Sequence, residues 1–230
     1  MLDLVTLVAG AGLPALVLVV WFYRMDRARP EPLGLVGKSV LLGFLSAVPA
    51  VAIEMVVDLP AGALPGILGI AWTSFVTAAM VEEGVKLFFL KRFALRHPAF
   101  DELMDGIVYA VCVSLGFAFA ENLLYGLGDR SVLVLRAFTA VPMHAFASGA
   151  MGYWLGAARR ERDPGRSRRL TLRGLRQAVL IHGMYDFFLF TGSALALLSL
   201  AVLAGAGLYV RRLVRQARAA DDAVAASLDG

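Results

Sequence analysis

An all-α, polytopic membrane bundle of about seven transmembrane helices is the fold class this sequence predicts, on three observations. The 230 residues are 59% hydrophobic, well above the roughly 45–50% of a soluble domain, and the mean hydropathy is +0.73. Several apolar runs reach about 20 residues, enough to cross a hydrocarbon core of roughly 30 Å as helix. The basic residues fall almost entirely in alternate connections, as they do when helices thread back and forth through one bilayer.

The elements run in order over residues 4–23, 36–57, 65–90, 105–126, 132–157, 173–191 and 194–213. The first run has no basic residue ahead of it, only Asp3, and no small-residue cleavage site after it, so it is expected to be a retained helix and not a signal peptide. Arg24, Arg27, Arg29 and Lys38 follow it, and Lys91, Arg92 and Arg96 follow the third run. Eight arginines from Arg159 to Arg176 separate the fifth from the sixth, and Arg211, Arg212, Arg215 and Arg218 close the seventh. The other connections hold only Arg130, so 19 of the 22 Lys and Arg lie on one side. The positive-inside rule then puts the N-terminus outside and the C-terminus in the cytoplasm.

Residues 1–218 are expected to form one transmembrane domain and residues 219–230 a frayed or disordered cytoplasmic tail. Arginine far outnumbers lysine, and Ala, Gly and Val are abundant. That composition suggests a high-GC bacterium and a multi-pass protein of its cytoplasmic (inner) membrane. A net charge of +4 scattered in short clusters is no nucleic-acid footprint. The lone Cys112 excludes an internal disulfide and a Cys-type zinc site. The arginine-rich stretch 159–176 is a topology determinant at an anionic leaflet.

An ionisable residue near the bilayer centre costs roughly 2.5–3.5 kcal/mol on insertion scales and faces the bundle interior for a reason. Four successive helices carry such groups: Glu82, Glu83 and Lys86 on the third, Glu121 and Asn122 on the fourth, His144 on the fifth, His182 and Asp186 on the sixth. Glu82 and Lys86 share one face at i,i+4, while Glu83 is turned about 100° away and is left the less neutralised. His182, Tyr185 and Asp186 form one stripe. His144, Ser148, Gly152 and Gly156 form another, whose small residues let a neighbouring helix approach closely, so His144 is expected to face that helix.

Two histidines and a glutamate on three helices match the ligand set of a catalytic zinc, with a second glutamate to deprotonate its water. Without a metal, a glutamate could still activate water while imidazole and amide donors stabilise the oxyanion. Either design hydrolyses a bond. A transporter or channel also places acids in the membrane, but it predicts broken helices or an inverted repeat, and the sequence contains neither. A non-catalytic scaffold predicts the loss of a key residue, and none is lost. By depth, Glu121 stands about 10 Å nearer the outer end than Glu82, His144 and His182 at 1.5 Å per residue.

At these segments the chain resembles the PrsW family of intramembrane proteases, in the superfamily of CAAX-prenyl endopeptidases and bacteriocin-processing homologues. The matching pieces are Glu82-Glu83-x-x-Lys86, Phe117-x-x-x-Glu121-Asn122, His144 ahead of Ser148-Gly149, and His182-Gly-x-Tyr185-Asp186, spread over about residues 70–190. Glu121 stands where the CAAX branch typically carries His, as in the PrsW branch. The resemblance implies proteolysis of membrane-anchored proteins, with anti-sigma-factor-like substrates. It also implies roles. Glu82 or Glu83 activates water, and Glu121, His144 and His182 ligate zinc or position water and oxyanion. Asn122 donates to the oxyanion, Asp186 orients a histidine, and Lys86 offsets the acidic charge. Zinc is the cofactor so implied, with a metal-free glutamate mechanism as the alternative.

Other residues are expected to be structural: Glu54 and Asp58 interfacial, Trp72, Trp154 and Tyr209 at interfaces or in packing, and His97 on the surface. Substrate identity, the side of cleavage and the oligomeric state leave no trace in the sequence.

Overall fold

The computed structural model describes residues 2–26 and 29–228; Arg27 and the last two residues of the tail lie outside them. The described chain is helical through most of each of its seven expected segments. These are α1 (Leu2–Met25), α2 (Leu33–Val57), α3 (67–94), α4 (Leu103–Gly128), α5 (Val132–Phe138) with α6 (Ala140–Arg160), α7 (Pro164–Phe190) and α8 (Leu198–Leu228). Five stretches are long and apolar enough to cross a membrane: those of α1, α2, α4, α5 with α6, and α8. The other two, α3 and α7, carry charge within their length: Glu82, Glu83 and Lys86 on one, five arginines in the first half of the other.

Local chemistry sets the ends. At α4, Glu102 and Asp105 form a capping box, with the Glu102 amide donating to Asp105 Oδ2 at 2.6 Å, which satisfies donors that an open helix end would leave bare. Asp163 accepts from the Arg166 amide at 2.6 Å and Pro164 occupies the first turn. This pairing starts α7 well ahead of the expected residue 173. The expected single helix over 132–157 is broken at Thr139, whose φ of −124° and ψ of −75° lie outside the helical region. His144 therefore sits close to the start of α6 instead of mid-helix, at the same level as Glu121, and the expected depth mismatch disappears. On α3, wide π-type turns over Trp72–Met80 and Leu90–Ala94 flank the α-helical stretch Val81–Phe89, an irregularity common at functional sites.

α4 is the axle of the bundle, with 94% of its apolar window buried. Glycine lets its neighbours come that close. A Cβ on Gly106 would lie 2.2 Å from the Gly152 carbonyl oxygen of α6, and one on Gly43 of α2 would lie 1.8 Å from that of Val113. This is close small-residue packing between membrane helices. Gly152 and Gly156 of the stripe face a neighbouring helix as expected, α4, and Ser148 and His144 are buried with them. Large apolar side chains such as Val48 and Leu127 point outward, where lipid replaces water as solvent.

The basic connections meet at one end. Arg29 pairs with Glu102 at 2.6 Å and Arg160 with Asp221. The tail continues as helix, and its buried Asp221 accepts the Leu103 and Met104 amides at 3.0 Å, tying the end of α8 to the start of α4.

Candidate active site

Lys86 organises the centre. It is fully buried, and its position one turn beyond Glu82 and Glu83 lets its ammonium reach both: 2.8 Å to Glu83 Oε1 and 3.1 Å to Glu82 Oε2. It also lies 3.1 Å from His144 Nδ1 and 4.2 Å from the centre of the Phe117 ring. An ammonium can only donate, so in this contact Nδ1 accepts and Nε2 carries the ring proton. His144 Nε2 then donates to Glu121 Oε2 at 2.8 Å, which fixes the ring between α3 and α4.

The two glutamates differ, and not as expected. Glu83 is saturated: Ser148 donates to its Oε2 at 2.7 Å, and Lys86 and His182 Nδ1, at 3.1 Å, share Oε1. Among the described residues Glu82 has only Lys86 as a hydrogen-bond partner, and it lines the cavity. Lys86 is thus closer to Glu83, and Glu82 is the more available carboxylate. His182 stands between carboxylates, with Nε2 3.2 Å from Asp186 Oδ2 one turn on. Its ring meets that of His144 edge-on at 5.1 Å. Ligand atoms of Glu82, Glu83, His144 and His182 all fall within 4.8 Å of one another.

Glu121 joins this group through His144 and through Arg136, at 2.8 Å. Asn122 does not join it. It is fully buried, its amide donates to the Ala11 carbonyl at 3.3 Å, and its Oδ1 accepts from Arg136 Nε at 2.6 Å. Asn122 braces Arg136 from behind. Arg136 was not singled out in the sequence, although an arginine inside the apolar run 132–138 was the signal for it. Glu54 was expected at the interface; it lines the cavity, and its Oε1 is buried without a partner. Asp58 instead staples α2 to α3, accepting from Thr73 and Thr77 at 2.9 Å. His97 is exposed, as expected.

The cavity measures about 670 Å³ and is walled by Glu54, Glu82, Glu121, His144, His182 and Asp186 among apolar side chains. Its four carboxylates outnumber the cations that meet them, Arg136 on the wall and Lys86 bonded to Glu82. Imidazole nitrogens and carboxylate oxygens with an excess of negative charge are a donor set that suits zinc. The partnerless oxygen of Glu54 points the same way, to a centre short of positive charge. The residues fit a metal.

Carboxylates and imidazoles around a cavity inside a lipid-facing bundle define the class: an intramembrane hydrolase. Residues 31–211 match the PrsW family of intramembrane metalloproteases. The chain is 38% identical to Protease PrsW of Bacillus subtilis over 184 residues, 79% of this chain and 82% of that one. It is 36% identical to Protease PrsW of Geobacillus kaustophilus (80% and 80%) and 33% identical to that of Oceanobacillus iheyensis over 94% of this chain and 98% of that one. No solved structure matches the chain. The chain belongs to the PrsW family and is a multi-pass intramembrane protease.

Proposed function

We propose that this protease cleaves membrane-anchored proteins of the anti-sigma-factor type, in the cytoplasmic membrane of a bacterium, with its N-terminus outside. Glu82 is the general base, and Glu121, His144 and His182 would hold a zinc ion, which would replace the proton between His144 Nε2 and Glu121. One observation carries the assignment: Glu82 faces the cavity with both imidazoles across from it, while Glu83 is consumed by Lys86, Ser148 and His182. Zinc bound there would polarise the scissile carbonyl and acidify the attacking water.

The remaining work falls to side chains. Glu82 takes the proton of the attacking water as its oxygen bonds to the scissile carbonyl carbon, then gives a proton to the amine as the C–N bond breaks. One carboxylate, Glu83 at Nδ1 or Asp186 at Nε2, orients the His182 ring, and the other nitrogen would take the zinc ion. Lys86 keeps both glutamates in place, and Arg136 holds Glu121 against His144.

Co-expression with a tagged single-span substrate tests this reading. Glu82→Gln should abolish cleavage yet keep the metal of the purified protein, whereas His144→Ala and Glu121→Gln should lose metal and activity together. Metal loss in Glu82→Gln would make Glu82 a ligand instead of the base. Full cleavage by Glu82→Gln would end the assignment.

A further inference from the structure

A second group of buried carboxylates stands about 24 Å along α4 from Glu121 at 1.5 Å per residue, at the arginine-rich end. Asp26 follows α1, Glu31 precedes α2, and Asp105 lies in the first turn of α4. One carboxylate oxygen from each falls within 4.8 Å of the others. Asp26 and Glu31 are 5% exposed and Asp105 is 1% exposed. Their polar partners are few. Asp105 Oδ2 accepts from the Asp101 and Glu102 amides at 2.7 and 2.6 Å, and Glu31 accepts from the Tyr109 hydroxyl.

Asp105 Oδ1 and Asp26 Oδ2 are buried with no hydrogen-bond partner among the described residues. Among the described residues no salt bridge reaches any of the three. Arg29 pairs with Glu102 and Arg160 with Asp221, and Arg218 acts on Asp26 through its charge without forming a salt bridge to it. Burial, then the charges of Asp105, Glu102 and Asp221, push the Asp26 carboxyl up to about 7. Burial and the neighbouring Asp105 carboxylate push Glu31 up to about 9.

Charges taken out of water must be matched by opposite charge or by hydrogen bonds, and here the protein leaves oxygens unmatched. All the donors are oxygens, with no histidine or cysteine among them, which is the ligand chemistry of calcium and magnesium and not of zinc. We propose that Asp26, Glu31 and Asp105 form a second cation site, selective for an oxygen-preferring divalent ion, that clamps the α1–α2 connection to the start of α4. The site is structural and separate from the catalytic centre. Because Asp221 binds the first amides of the same helix, the ion secures the point where the two ends of the chain meet on α4.

The test uses the full chain purified in detergent, stripped with a chelator, and titrated separately with Ca²⁺ and with Mg²⁺. Direct binding and melting temperature are read together. One saturable ion per chain is expected, with a rise of roughly 5 °C at saturation for a chain of this size. Asp26→Asn, which keeps the bond from the residue-26 amide to the Tyr23 carbonyl, should weaken binding at least about tenfold, as should Glu31→Gln. His144→Ala, which empties the catalytic centre, should keep the full response. Absence of binding by either ion overturns the proposal, and so does an equal response in Asp26→Asn and wild type. A melting temperature that climbs on acidification with no response to either ion also overturns it. Raised carboxyls bind more protons folded than unfolded, so that result would mean protons do the neutralising.

Discussion

Glu83 and Asp105 are buried alike, at 0% and 1% exposure, yet their surroundings differ in kind. Glu83 meets an ammonium, a hydroxyl and an imidazole from α3, α6 and α7. Asp105 meets two backbone amides on one oxygen, nothing on the other, and two more carboxylates in front of it. The first is a network in which every member is held by another helix, so it can position a reacting group. The second is complete only when something positive is added. Buried charge is therefore not one signal: what surrounds it separates chemistry from clamping.

Substitutions sharpen this contrast, and the largest effect is on rate. Glu82→Gln should cut substrate cleavage by about 10²–10⁴-fold, the usual worth of a general base, whereas Glu31→Gln should leave the rate per folded molecule unchanged. Cleavage assays on matched amounts of protein decide between them; equal losses would erase the distinction. Next is Lys86→Met, which strands Glu82 and Glu83 without their cation and should cost about 3–5 kcal/mol, read by thermal denaturation in detergent. Gly106→Ala forces a methyl against the Gly152 carbonyl and should cost about 1–3 kcal/mol. Because α4 and α6 carry groups of both regions, it should lower melting temperature and activity together. Smallest is Asp105→Asn in chelated protein, expected to change stability by less than about 1 kcal/mol, or to raise it, since it removes repulsion and keeps the capping oxygen. A large loss there would mean Asp105 has a counter-charge after all.

Much of the first region was legible in the sequence because it rests on local rules. Glu82, Glu83 and Lys86 read as one face of a helix, His182 and Asp186 as one turn of another, and the seven segments as hydropathy. Three things were not legible. The break at Thr139 shows in that residue's backbone angles, and its one signal, Pro142 in the first turn that follows, was not read as a helix start. The turning of Asn122 away from the cavity depends on Ala11 and Arg136, which lie far off or on the next helix. The ranking of Glu82 against Glu83 depends on Ser148 and His182, and helical spacing alone inverted it. The second region had no periodic signature, because two of its three members sit in a connection and the third caps a helix.

The placement of Lys86 has a consequence for biosynthesis. α3 leaves the ribosome before α4, α6 and α7 exist, so Glu121, His144 and His182 are not yet there to receive it. Three ionised side chains at its centre would each cost roughly 2.5–3.5 kcal/mol to insert alone. Lys86 lies one turn from both glutamates on the same helix and reaches them without help. The segment thus enters lipid with most of its charge already matched, and the later helices inherit a centre whose sign has been set. A lysine moved to another helix could serve the finished enzyme equally well, but it would arrive too late for the helix that needs it first.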